Sequence, residues 1–115
     1  MKQRNRLRRT DDFARVKQNG RIIRHPFILL SVLPNQLSYN RYGIVTGKRI
    51  GKAVSRNQVK RRIREILRLL HSNLKQGYDI VVIPHPTIVH HDFSEIQEAI
   101  KNLFQRAGLV DEESS

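Results

Sequence analysis

The sequence predicts one small domain of the α+β class, in which we expect three helices and a sheet of about four strands. Three segments repeat apolar residues with the period of a helix, and three short runs rich in β-branched residues have the composition of strands. A chain of 115 residues suits one compact domain with one core and is short for two.

The first helix is predicted to begin at Thr10, whose hydroxyl can cap a helix with Asp11–Asp12 in its first turn. Phe13 and Val16 fall on one face of this helix, and Gly20 is placed to end it.

Three apolar runs and one shorter segment predict the sheet. The runs are "FILLSVL" (residues 27–33), "RYGIVTG" (41–47) and "YDIVVIP" (78–84). Residues 21–23, "RII", can add a short edge strand.

The second helix has the clearest start signal, because Ser55 and Gln58 have the spacing of a capping box and Val54 and Val59 that of a hydrophobic staple. A stripe at about 100° per residue follows and must face the sheet. It consists of Val59, Ile63, Ile66, Leu67 and Leu70.

The last helix is predicted from a cap at Asp92, with Glu95 three residues later, to a stop at Gly108. We assign residues 1–108 to the single domain and expect residues 109–115 to form a disordered acidic tail.

Positive charge is concentrated in the first half of the chain. Residues 1–64 hold 18 Lys and Arg against two acidic residues, a net charge of +16, whereas residues 65–115 have a net charge of −4. Self-repulsion of this size destabilises a compact state unless an anionic partner neutralises it. A nucleic acid or an acidic membrane surface is therefore implied, and the alternative is a generally soluble basic protein.

The outward face of the second helix carries much of this charge. It is formed by Asn57, Arg61, Arg64 and Arg68, with Lys60 and Arg62 beside them. Like charges at these intervals repel by about 0.2–0.5 kcal/mol per pair, which disfavours an ordinary solvated face. Phosphates between the cations would remove the repulsion, which favours a nucleic-acid surface. A membrane-bound helix is the competing interpretation, but its apolar stripe is needed for the core.

Other motifs predict no catalytic or metal-binding side chains. "GKRIGK" (residues 47–52) is one residue short of a P-loop, and Ala53 stands where Ser or Thr would hold Mg²⁺. His85, His90 and His91 lie near one carboxylate and no cysteine, so we expect no zinc site. The carboxylates are too scattered for two-metal nuclease chemistry. Without cysteine, a long apolar run or a leader, we expect a cytoplasmic protein with no membrane association.

Two motifs in order, "NRLRRTDDFARV" (residues 5–16) and "GKRIGKAVSRNQVKRRIRE" (47–65), resemble the protein subunit of bacterial ribonuclease P. The resemblance covers roughly residues 4–104. It implies a two-layer α/β sandwich with a mixed sheet, in which a left-handed βαβ crossover joins parallel strands through the basic helix. It also implies that the chain assists a catalytic RNA in removing the 5′ leader from precursor tRNA.

The resemblance assigns the basic loop and helix to binding the RNA subunit, with catalysis carried by that RNA and no protein partner required. The implied contacts are Lys48, Arg49, Lys52, Arg56, Asn57, Lys60, Arg61, Arg64 and Arg68. The implied cofactor is Mg²⁺, bound mainly by RNA phosphates.

In the family, a cleft between the first helix and the sheet holds the single-stranded leader. Phe13 matches its aromatic position, and Val16, Lys17 and Leu30 are expected to line it. The alternative for Phe13 is core packing. Lys17 departs from the aromatic residue that family members often carry there, and Gln58 replaces an Arg that often follows the Arg-Asn pair.

Two other functions share this composition. A structural RNA-binding protein of the ribosomal type would have the same size and basic surface without a role in processing. A DNA-binding helix-turn-helix module is less compatible, because three strands and no adjacent pair of short helices are predicted. The ordered pair of motifs favours the ribonuclease P protein.

Overall fold

The computed structural model describes residues 1–110 and has the predicted α+β architecture. Its elements are α1 (Thr10–Asn19), β1 (Arg21–His25), β2 (Ile28–Pro34), β3 (Arg41–Ile44), α2 (Ala53–Leu70), β4 (Tyr78–Pro84) and α3 (Phe93–Arg106). Short 3-10 turns occur at Gln3–Asn5, Lys48–Ile50, His71–Asn73 and Pro86–His90. Over residues 1–110, no helix combines the length and apolar character that a membrane span requires.

The four strands form one mixed sheet in the order β1-β2-β4-β3. β2 pairs antiparallel with β1 and β4, whereas β3 and β4 are parallel neighbours joined through α2. Parallel neighbours need such a crossover, because a tight turn reverses the direction of the chain. The left-handed sense of the crossover remains an expectation from the family resemblance.

The two faces of the sheet are covered unequally. α2 and α3 pack on one face, where Leu30, Ile63 and Val82 are fully buried. α1 lies over the other face, where Val16 and Val81 are buried together with Leu7 from the start of the chain. α1 thus adds a partial third layer to the predicted two-layer sandwich and leaves part of its face of the sheet accessible.

Residues 2–9, which we call the N-terminal segment, close the edge of β3. The Leu7 amide donates to the Tyr42 carbonyl oxygen at 2.8 Å, and the Asn5 side-chain amide donates to the Asn40 carbonyl oxygen at 2.7 Å. Asn5 and Leu7 are buried, whereas Arg6 between them is exposed. An edge strand that could pair with another chain is therefore covered from within the domain.

Neither α1 nor α2 has the side-chain cap that the sequence predicts. Arg9 occupies the capping position of α1 and Lys52 that of α2, and neither side chain makes a capping hydrogen bond. Thr10 is the first residue of α1, and α2 begins two residues before Ser55. Val54 has 80% of its surface exposed, so the predicted hydrophobic staple is wrong.

α3 has the predicted capping box. The Asp92 carboxylate accepts from the Glu95 amide at 2.9 Å, and the Glu95 carboxylate accepts from the Asp92 amide at 3.1 Å. Gly108 follows the helix with φ of 73°, a left-handed conformation that glycine adopts without strain.

The folded domain extends slightly beyond its predicted end. Leu109 is buried, and Val110 forms an isolated antiparallel bridge with Leu74. These two residues therefore belong with the domain and not with the predicted tail. The rest of that tail, residues 111–115, lies outside the described residues.

Candidate nucleic-acid interface

The outward face of α2 forms one wall of an open groove of about 820 Å³. The start of the N-terminal segment forms the opposite wall, so cations from two distant parts of the sequence meet here. Its basic residues are Lys2, Arg6, Lys60, Arg61, Arg62, Arg64 and Arg68, with Asn57 among them. We call this the α2 groove. The cations of α2 face outward because the apolar stripe on the opposite side of the helix is buried against the sheet.

The sequence prediction omits Lys2 and Arg6 from this surface. Arg6 lines the groove because it forms a parallel bridge with Tyr42 that holds the segment along β3. A signal was present in the sequence: Asn5 and Leu7 alternate with arginines, as in a strand with one buried side.

Most cations of the α2 groove have no carboxylate partner within residues 1–110. Among the described residues that line it, Glu65 alone is acidic, and it accepts from Arg68 Nε at 3.0 Å. This hydrogen bond lowers the pKa of Glu65. Arg61 and Arg64 have no carboxylate within salt-bridge distance in residues 1–110. Burial, with the nearby charge of Arg6, lowers the pKa of Arg64.

Arg68 therefore differs from the other residues of α2 that are predicted to bind RNA, because an ion pair with Glu65 already neutralises its charge. The predicted basic loop also lies apart. Lys48, Arg49 and Lys52 are exposed around a 3-10 turn anchored by buried Ile50. These loop cations do not line the α2 groove, and neither does half-buried Arg56.

The second predicted site, which we call the α1 cleft, lies between α1 and the accessible part of the sheet. Phe13 is half-buried and packs on Gly43, where a Cβ would lie only 2.4 Å from Phe13 Cε1. Val16 is fully buried and supports α1, whereas Lys17 is exposed. The sheet contributes the partly buried residues Leu33, Val45 and Ile83.

The assignment of Leu30 to this cleft is wrong. Leu30 is fully buried in the core beneath α2 and α3, on the opposite face of the sheet. Successive side chains of a strand point to opposite faces, so Leu29 and Ser31 face α1 instead. The Ser31 hydroxyl donates to the Val16 carbonyl oxygen at 2.6 Å.

A cavity of about 210 Å³ lies between the two surfaces. Phe13 lines it together with Arg6, Lys60 and Arg64. The aromatic residue of the α1 cleft is therefore next to cations of the α2 groove, although the two motifs are far apart in sequence.

Two carboxylates, Asp12 on α1 and Asp79 on β4, are already neutralised where α1 packs on the sheet. Fully buried Asp79 accepts from Arg15 and Arg41, each at 2.7 Å, and from Asn35 at 2.9 Å. Burial alone would raise the pKa of Asp79, but these hydrogen bonds outweigh it and lower the pKa. Asp12, on α1, lies 3.8 Å from Arg41 of β3. Both carboxylates thus serve as ion-pair partners that fasten α1 to the sheet.

Residues 1–110 contain no cluster of three or more acidic or histidine side chains that could hold a metal ion. His85 Nδ1 accepts from the Thr87 amide at 3.2 Å and caps a 3-10 turn. The His91 ring stacks on Phe27 with ring centroids 3.8 Å apart, and His90 is exposed.

Comparison with known proteins identifies the family. The Ribonuclease P family profile matches residues 1–108. The ribonuclease P protein component of Caldanaerobacter subterraneus is 42% identical over 106 residues, which cover 92% of this chain and 91% of that protein. That of Chloroflexus aggregans is 41% identical over 111 residues, which cover 96% and 82%.

Solved structures agree with this match. The RNase P protein of Thermotoga maritima has a TM-score of 0.82 at 34% identity, over 88% of this chain and 96% of that one. The RNase P protein of Staphylococcus aureus has a TM-score of 0.85 at 26% identity, over 92% and 97%. These matches do not favour the alternative that the chain is a structural RNA-binding protein of the ribosomal type. The chain belongs to the ribonuclease P protein family, the protein component of the tRNA-processing ribonucleoprotein enzyme.

Proposed function

We propose that the chain binds the catalytic RNA of ribonuclease P through the α2 groove and holds the 5′ leader of precursor tRNA in the α1 cleft. The observation that carries this proposal is the convergence of cations from α2 and the N-terminal segment around one acidic residue that is itself paired. Each cation that meets a phosphate releases condensed counterions, which favours binding.

The α1 cleft has the chemistry that a single strand of RNA requires. Half-buried Phe13 offers an aromatic surface, and partly buried Val45 and Ile83 provide an apolar floor. Bases of any sequence stack on such surfaces, while a cation such as exposed Lys17 can meet a phosphate. At Lys17 a phosphate contact takes the place of the second aromatic residue that family members often have.

We propose that Mg²⁺ is bound by RNA phosphates. Within residues 1–110, no three acidic or histidine side chains cluster in a way that could hold it, and Asp12 and Asp79 are engaged by Arg15 and Arg41. The contribution of the chain is then to position the RNA strands and to reduce the repulsion between their phosphates.

The direct test is cleavage of precursor tRNA by a cognate RNA subunit at low Mg²⁺, with and without the protein. We expect the protein to raise the cleavage rate and the protein alone to cleave nothing. Cleavage by the protein alone that survives nuclease treatment of the preparation would contradict the division of roles. An RNA subunit that is indifferent to the protein would contradict the proposal as a whole.

The leader is tested separately with Phe13→Ala in the assembled enzyme. Loss of stacking should weaken binding of precursor tRNA by about 1–3 kcal/mol and leave binding of mature tRNA nearly unchanged. Lys17→Ala should cause a smaller, salt-sensitive loss with the precursor alone. Equal losses for both tRNAs, or a large fall in melting temperature with preserved discrimination, would assign Phe13 to core packing.

A further inference from the structure

The N-terminal segment has a second basic depression on its other side. This depression measures about 400 Å³ and contains none of the residues that the sequence predicted to bind RNA. Its lining consists of Gln3, Arg4, Arg6, Arg8, Arg9, Asp12, Tyr39 and Arg41. We call it the Tyr39 depression.

Among the described residues, three arginines of the Tyr39 depression have no carboxylate partner, although Arg8 donates to the Gln3 side chain at 3.2 Å. Arg41 lies 3.8 Å from Asp12 and also binds buried Asp79, so its charge is neutralised. Arg9 lies 3.7 Å from Asp11. Within residues 1–110, no carboxylate lies within salt-bridge distance of the other three, which are Arg4, Arg6 and Arg8.

These arginines stand on a fixed backbone. Asn5 is buried, donates to the Asn40 carbonyl oxygen and accepts from the Lys2 amide at 3.2 Å. The Arg4 guanidinium lies over the Tyr39 ring, 4.5 Å from its centroid. A ligand that meets an already positioned guanidinium loses less side-chain entropy on binding.

The depression is continuous with the α2 groove. Gln3 and Arg6 line both, so the N-terminal segment is a ridge with unpaired cations on either side. A ligand that spans the ridge must carry closely spaced negative charges along a flexible or curved path. The phosphate backbone of RNA meets this requirement, and continuity favours the same RNA on both sides of the ridge.

We propose that the Tyr39 depression is a second binding site for the phosphate backbone of the catalytic RNA. Arg4 and Arg8 contact the phosphates, and Tyr39 is a positioning residue that holds Arg4. This inference rests on the proposed function, because the same RNA occupies the α2 groove. In this arrangement the RNA bound in the α2 groove continues across the N-terminal segment into the Tyr39 depression.

The test measures affinity for the RNA subunit alone, over a range of salt concentrations, with Arg4→Ala/Arg8→Ala. Two lost phosphate contacts should reduce the log-log salt slope by about 1.4–1.8. A fourfold rise in salt would then cost this variant roughly tenfold less affinity than it costs the natural protein. The matched control is Lys75→Ala/Lys101→Ala, which removes the same charge from residues that line neither groove and should leave the slope unchanged.

Tyr39 is tested by a conservative pair. Tyr39→Leu should weaken binding nearly as much as Arg4→Ala, whereas Tyr39→Phe keeps the ring under Arg4 and should bind like the natural protein. Equal losses in the two Tyr39 variants, at unchanged melting temperature, would contradict the positioning role.

Several outcomes separate this inference from the proposed function. If Arg61→Glu/Arg64→Glu weakens binding while Arg4→Ala/Arg8→Ala does not, the second site is wrong and the α2 groove stands. If neither double variant weakens binding, both are wrong. If Arg4→Ala/Arg8→Ala leaves RNA-subunit affinity intact and weakens only precursor tRNA with a long leader, the occupant is the leader, which contradicts the inference.

Discussion

α2 and α3 pack on the same face of the sheet, yet their outer surfaces differ. Their inner sides are equivalent, since Ile63 and Ile100 are both fully buried in one core. α3 begins with a capping box at Asp92 and pairs Glu98 with Lys101 at 3.7 Å. α2 has neither a side-chain cap nor an acidic residue in its first turn.

Under the proposed function, this difference separates features that serve the fold from features that serve a partner. A cap contributes about 1 kcal/mol to helix stability, and like charges one turn apart cost about 0.2–0.5 kcal/mol per pair. α2 has no side-chain cap and contains these repelling pairs, although its inner residues are buried in the same core as those of α3. Packing does not explain the unpaired cations of α2, whereas the proposed binding of a polyanion does.

The inner sides should respond alike to truncation. Ile63→Ala and Ile100→Ala should each lower the free energy of unfolding by about 2–5 kcal/mol, because each leaves a cavity in the same core. Chemical denaturation measures both. A cost at Ile63 far below that at Ile100 would show that the two helices are not packed equivalently.

The helix starts should respond in opposite directions. Asp92→Ala should cost about 1 kcal/mol through loss of its cap. Lys52→Asp places a cap where α2 has none and should raise stability by up to about 1 kcal/mol. Melting curves measure both changes. A destabilised Lys52→Asp variant would contradict the prediction that a capping side chain at this position stabilises α2.

Among surface charges, Glu65→Gln and Glu98→Gln should hardly change stability, because both ion pairs are largely exposed. Glu65→Gln releases Arg68 into the α2 groove and should tighten binding of the RNA subunit at low salt. Glu98→Gln should leave that affinity nearly unchanged. Equal effects of Glu65→Gln and Glu98→Gln on RNA-subunit affinity would contradict the prediction that the outer surface of α2, and not that of α3, binds the RNA.

Local signals predicted α3 and β4 well. The capping box at Asp92 needs only nearby residues, and Tyr78–Pro84 forms β4 with the predicted bounds. The start of α2 was misplaced because Ser55 and Gln58 fit a capping pattern that the backbone does not use. The helix instead begins at Ala53, with Lys52 at the capping position and no side-chain cap.

Leu30 shows a second limit of sequence patterns. "FILLSVL" is apolar on both sides because helices lie on both faces of β2, so alternation cannot tell which residues face α1. An error of one residue in placing the strand assigns every side chain to the opposite face of the sheet. The N-terminal segment was missed as part of the site because its position depends on pairing with β3, a contact distant in sequence.

The central claim is that the unpaired cations of α2 are there to bind the RNA subunit. Its most direct test is the salt dependence of RNA-subunit affinity for Arg61→Glu/Arg64→Glu, with Lys75→Glu/Lys101→Glu as a control of equal charge change outside the groove. We expect a normal circular dichroism spectrum in both variants, a log-log slope reduced by about 1.4–1.8 in the first and an unchanged slope in the control. An unchanged slope in a folded Arg61→Glu/Arg64→Glu variant, or an equal reduction in the control, would contradict the claim.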